Sequence, residues 1–85
     1  MSELIYNEKD LTKLKNFRRD IEWFKANYES IKSEYKGQYV AIVDEEIIDN
    51  DDDVKSLLDR LEAKGIDLTT IVVEYINPYK VAYVL

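Results

Sequence analysis

The chain contains no cysteine and no histidine. Without cysteine there is no disulfide framework, no thiol nucleophile and no thiolate metal site. Without histidine the commonest general base near neutral pH and the commonest zinc ligand are missing as well. Glycine occurs twice and proline once, and no glycine-rich loop that would cradle a phosphate can be assembled from them. No run approaches the roughly 18 consecutive apolar residues of a membrane helix. The opening Met1-Ser2-Glu3-Leu4 lacks the basic-then-apolar pattern of a signal peptide, so a cytoplasmic protein is expected and no membrane partner.

What is present is the composition of a folded domain: 46% hydrophobic and 35% charged residues in a chain of 85. That length makes one domain, which buries about 60–65% of its unfolded surface. Heavy use of Lys, Glu and Asp with few glycines also suits a thermophile. The charge is unevenly placed. Through Gly37 there are eight basic and seven acidic residues, and after it four basic and eleven acidic. The acidic half repels phosphate backbones and the mixed half offers no strong basic patch, which argues against nucleic acid as a partner.

Residues 1–8 read as a flexible N-terminal tail and 9–85 as a single domain. Asp10 is a candidate N-cap, after which apolar residues fall at Leu14, Phe17, Ile21, Phe24, Tyr28, Ile31 and Tyr35, in alternating steps of three and four. That spacing predicts one amphipathic helix, with Asp20 or Asn27 as the places where it would break, and Gly37 as its end. The same rows form a heptad seam about three repeats long. With Leu14 at position a, Arg18, Lys25 and Lys32 fall at e, and Asp20, Asn27 and Glu34 at g. A helix lying on a sheet accounts for the pattern better than a coiled coil, because the later strands need a cover.

Gln38 to Asp44 is dense in β-formers and predicts the first strand, and Ile47 to Asp49 a short second one. Asp44-Glu45-Glu46 lies between them at hairpin distance without the Asn-Gly or Asp-Gly of a tight turn, so a longer or irregular turn is expected. Asn50 to Asp53 opens a second helix with an apolar stripe at Val54, Leu57, Leu58 and Leu61, closed at Lys64-Gly65. Thr70 to Ile76 predicts a third strand. Asn77-Pro78 is a turn signal, and Lys80 to Leu85 alternates well enough for a last short strand. The fold class is therefore α+β, helix, β-hairpin, helix, strand, and a right-handed crossover puts both helices on one face of a small sheet.

Parity then divides the sheet. Tyr39, Ala41 and Val43 share one face, and Val40 and Ile42 the other. Because a buried unpaired carboxylate is costly, Glu74 is placed on the open face, and Val40, Ile42, Val72 and Ile76 with it. These five residues are the candidate partner-binding site, an apolar surface large for a monomer of this size.

At these residues the chain resembles a family of small prokaryotic domains, common in archaea, that carries only a domain-of-unknown-function label. The resemblance spans about Trp23 to Ile76 and rests on Trp23-Phe24 with Asn27-Tyr28, on Tyr35-Lys36-Gly37-Gln38-Tyr39-Val40-Ala41-Ile42-Val43-Asp44, and on Leu57-Leu58 with Leu61 and Lys64-Gly65-Ile66-Asp67. Such relatives usually carry a turn-former where Glu45 stands here. The resemblance implies the fold and no reaction.

Three stretches resemble chemical sites and have simpler readings. Asp49-Asn50-Asp51-Asp52-Asp53 begins like a calcium loop, but Val54 stands in place of the glycine and Arg60 in place of the bidentate glutamate, so a solvated helix start is expected. Asp44, Glu45 and Glu46 read as exposed hairpin carboxylates rather than an acid and base pair. Trp23 with Tyr28, Tyr35, Tyr39, Tyr75, Tyr79 and Tyr83 reads as packing rather than a base-stacking platform, which would need a positive groove. The expectation is a non-enzymatic interaction domain with no catalytic residue, cofactor, resident metal or small-molecule substrate. It would be a homodimer or an accessory subunit. The alternative is a nucleic-acid-associated regulator using Lys13, Arg18, Arg19 and Lys25.

Overall fold

A computed structural model describes residues 8–79, with side chains from residue 11 onward; apart from Glu8, the expected tail and the expected last strand Lys80 to Leu85 lie outside the described residues. The first helical pattern forms two consecutive helices, α1 (Glu8–Ala26) and α2 (Tyr28–Tyr35). The helix begins before Asp10, and of the two expected breaks only Asn27 is one. Its side-chain amide donates to the Trp23 carbonyl at 2.9 Å, which already accepts from the Asn27 backbone N–H at 3.0 Å, and its φ of −110° and ψ of 14° leave the helical range. Gly37, at φ +76°, turns the chain out of α2 as expected.

Strands β1 (Tyr39–Ile42), β2 (Ile47–Asp51) and β3 (Val72–Tyr75) form one sheet in the order β2-β1-β3. Both pairings are antiparallel, so β2 and β3 run the same way on either side of β1. Helix α3 (Val54–Ala63) makes the crossover between them, followed by a 3-10 turn at Leu68–Thr70. Asp53 caps α3, accepting from the Ser56 amide at 3.3 Å and the Ser56 hydroxyl at 2.7 Å. At the far end the Ile66 N–H bonds the Leu61 carbonyl and the Gly65 N–H the Glu62 carbonyl, a Schellman ending that needs the +80° φ of Gly65.

The turn between β1 and β2 is tighter than expected. Asp44 and Glu45 are its two central residues, both left-handed at φ +53° and +58°, and the Val43 N–H donates to the Glu46 carbonyl at 2.9 Å. This is the geometry that Asn-Gly usually supplies. The pairing then slips by one residue between Ala41 and Ile42, leaving Ile48 as the additional residue of a bulge.

Helices cover both faces of the sheet, which corrects the expectation of two helices on one face. Phe24 and Ile31 of α1 and α2 pack on Val40, Ile42, Val72 and Ile76, while Leu57 and Leu61 of α3 pack with Ala41 and Ile71 on the other side. The parity was right, but the face judged open is the one α1 and α2 cover. Glu74 misled the assignment: it stands opposite Val40 and remains only partly buried, because β3 lies at the edge of the sheet.

Candidate functional site

The five residues expected to bind a partner do not form a free surface. Val40, Ile42 and Ile76 are fully buried and Val72 nearly so, all within the core under α1 and α2. Burial raises the Glu74 carboxyl above the usual glutamate range. Their apolar character is that of a sheet interior, and any surface left for a partner lies elsewhere.

The acidic run is also occupied. Asp49, Asn50 and Asp51 belong to β2, and α3 carries Arg60 back across them. The Arg60 guanidinium forks onto Asp49, with Nε and Nη2 each 3.1 Å from a carboxylate oxygen. It donates from Nη1 to Asp51 at 2.8 Å and from Nη2 to the Asn50 carbonyl at 3.0 Å. Those hydrogen bonds hold both carboxyls below the usual aspartate range and raise the guanidinium. The Asn50 side-chain amide bonds the Gln38 side chain across to the chain leading into β1. Arg60 thus sits where a calcium ion would have to be, and among the described residues no cluster of acidic side chains is arranged to hold a metal ion.

Asp20 has a role that the sequence reading missed. It is 2% exposed, on α1, and its two oxygens accept from the amides of the left-handed turn, Glu45 N–H at 2.8 Å and Asp44 N–H at 3.3 Å. Arg19 completes the clamp, donating to Asp44 at 2.7 Å with its Nε 3.5 Å from Asp20; the bond to Asp44 raises the guanidinium. Removal of a buried acceptor would leave turn amides unpaired, so the carboxylate fixes α1 to the hairpin as well as holding the turn. One sequence signal was available: Asp20 stands on the row that Phe24, Asn27 and Ile31 continue, a carboxylate on a docked row. Asp44 is a turn residue whose carboxylate pairs with Arg19.

The aromatic residues divide between core and rim. Tyr28 meets Phe24 edge-on at 5.5 Å, and Tyr39 packs against Tyr75 across the strands at 4.9 Å. Of the basic residues on α1, Lys13 lies 3.9 Å from Asp67, Arg19 belongs to the clamp, and Arg18 and Lys25 are exposed.

Ahead of Asp20, α1 leaves its apolar residues bare. Leu14 is 57% exposed, Leu11 41% and Phe17 39%, and together with Ile21 they line a shallow groove along the helix. Isolated exposed apolar residues are ordinary, but three large ones on one helical stretch are a patch. The row that docks on the sheet is Asp20, Phe24, Asn27 and Ile31; Leu11, Leu14, Arg18 and Lys25 lie around the helix from it, and Phe17 lies on that row one turn ahead of Asp20.

A model for a family of unknown function, DUF5678, matches residues 30–79, more than half of the chain. The chain belongs to the DUF5678 family. The match takes in most of α2, the whole sheet and α3. Helix α1, with Trp23-Phe24 and the bare stripe, lies ahead of the matched DUF5678 segment. No curated protein and no solved structure matches the chain. No helix among the described residues is long and apolar enough to cross a membrane.

Proposed function

We propose that the chain is a non-enzymatic protein-interaction domain, an accessory subunit whose contact surface is the outer face of α1. The observation that carries this reading is the exposure of Leu11, Leu14 and Phe17 on a helix whose second half is built into the core through Phe24 and Asp20. A rigidly mounted helix presenting an apolar row is a common form of protein recognition. The sheet faces are covered by helices, and Asp49, Asp51 and Asp44 are ion-paired with Arg60 and Arg19.

The test is size-exclusion chromatography of extract from the native cell, detecting the tagged full chain. Wild type is expected in a fraction heavier than the free monomer, and Leu14→Glu at the monomer position with the same abundance. Wild type eluting only as free monomer would overturn the reading.

A further inference from the structure

The exposed row on α1 has a second property besides being apolar. Leu14, Arg18, Ile21 and Lys25 follow at steps of four, three and four, so apolar and cationic side chains alternate along one line of the helix, with Ile21 half-buried against the core and Leu14, Arg18 and Lys25 exposed. Lys15 lies beside this line, and Glu22 is the acidic residue among those lining the groove. Residues outside α1 carry the excess of acid: α1 itself holds six basic and four acidic residues, one of the four being the buried Asp20. The groove is thus a positive strip on a negative molecule.

Resting on the reading of α1 as the contact surface, we infer that this strip docks an acidic amphipathic helix of another protein, one that sets carboxylates between its apolar residues at the same helical spacing. Self-pairing is the obvious competitor, and charge disfavours it. In a parallel pair of α1 helices the flanking contact runs from position g to the e position of the next heptad, which sets Lys13 against Arg18 of the other copy. The next such pair would join Lys25 to Asp20, but Asp20 is already buried against the hairpin turn. In an antiparallel pair e meets e, which sets Arg18 and Lys25 against each other's positions. A helix with Glu at the flanks meets the same cations with opposite charge and leaves no apolar residue of the row uncovered. Electrostatic complementarity of this kind sets both the choice of partner and the rate of encounter.

The experiment uses the full-length protein and two synthetic helical peptides of identical Leu seams, one with Glu and one with Lys at the e and g positions, titrated by fluorescence anisotropy. The Glu peptide is expected to bind one to one, and the Lys peptide to bind at least about tenfold more weakly. The double variant Arg18→Glu, Lys25→Glu should reverse that order; both residues are exposed, and circular dichroism checks that the fold is kept. Equal binding of the two peptides, abolished by Leu14→Glu, would overturn the acidic partner while leaving α1 as a contact surface. Binding of neither peptide would overturn the inference, with the native-extract experiment deciding the contact surface separately. A dimer in sedimentation velocity that Leu14→Glu dissolves would replace the acidic helix by a second copy. Tight binding of a single-stranded oligonucleotide through Arg18 and Lys25 would replace it by nucleic acid.

Discussion

Helix α3 is capped at both ends, buries Leu57 and Leu61, and ties its exposed Arg60 to the strand beneath it, whereas α1 is fastened to the core over its second half and leaves Leu11, Leu14 and Phe17 exposed over its first. The two helices cover opposite faces of the same sheet. On α3 the apolar row and the docked row coincide; on α1 they diverge, because the docked row carries Asp20 and Asn27 while Leu11 and Leu14 lie off it. An apolar period therefore shows that a helix has a buried side without showing which partner buries it. The DUF5678 match covers the finished side of this comparison and begins only inside α2.

The largest effects test whether the second half of α1 is as much a part of the core as α3 is. Leu61→Ala should destabilise by about 2–5 kcal/mol and Phe24→Ala by about 3–5 kcal/mol, read from urea unfolding. A Phe24→Ala effect well under 1 kcal/mol would show that α1 rests on the sheet without being built into it.

Next comes the fastening itself. Asp20→Ala strands two turn amides and should lower stability by about 1–3 kcal/mol. Asp20→Asn, which keeps an acceptor oxygen, should lose less. Glu45→Gly should act in the other direction, raising stability by up to about 1 kcal/mol because its φ of +58° strains a side chain and not a glycine. An unchanged midpoint in Asp20→Ala would mean that the clamp holds nothing together.

The smallest effects are electrostatic and distinguish the two faces by pH. Asp49 and Asp51 sit below the usual aspartate range, so the stability they contribute is complete above that range and is lost as pH falls through their lowered values. Glu74 is raised, so its sign is opposite: the native state holds the proton more tightly, and stability falls as pH rises through the window between the ordinary and the raised value. Glu74→Gln should remove that fall and raise the thermal midpoint at neutral pH, leaving the acid-side loss in place. A thermal midpoint lowered by Glu74→Gln would indicate that the carboxylate is favourably paired.

Much of the fold was legible because its signals are local. Gly37 and Gly65 ended helices where left-handed residues were needed, Asp53 lay in the run expected to open α3, and the β-formers of β1 and β3 formed strands. The choice of face was not legible. Parity separates Val40 and Ile42 from Ala41 without naming the helix that covers each set, and Glu74 was read as marking an open face when it marks the edge of a closed one. The hairpin failed for a different reason. Asp44-Glu45 has little tendency to form a two-residue turn, and the carboxylate that holds it there, Asp20, is 24 residues away from Asp44 in sequence. For the proposed contact surface, the heptad seam was visible from the first, but the spacing did not show that Leu14 and Phe17 stay exposed while Phe24 and Ile31 are buried.

Val40, Ile42, Val72 and Ile76 are core, and Leu11, Leu14 and Phe17 on α1 are surface. Urea unfolding of Ile42→Glu and Leu14→Glu, measured side by side with wild type, tests this division most directly. Ile42→Glu is expected to leave the chain unfolded without denaturant, since a carboxylate would be forced into a fully buried site, and Leu14→Glu to match wild type within about 0.5 kcal/mol. A folded Ile42→Glu, or a Leu14→Glu destabilised by several kcal/mol, would contradict it.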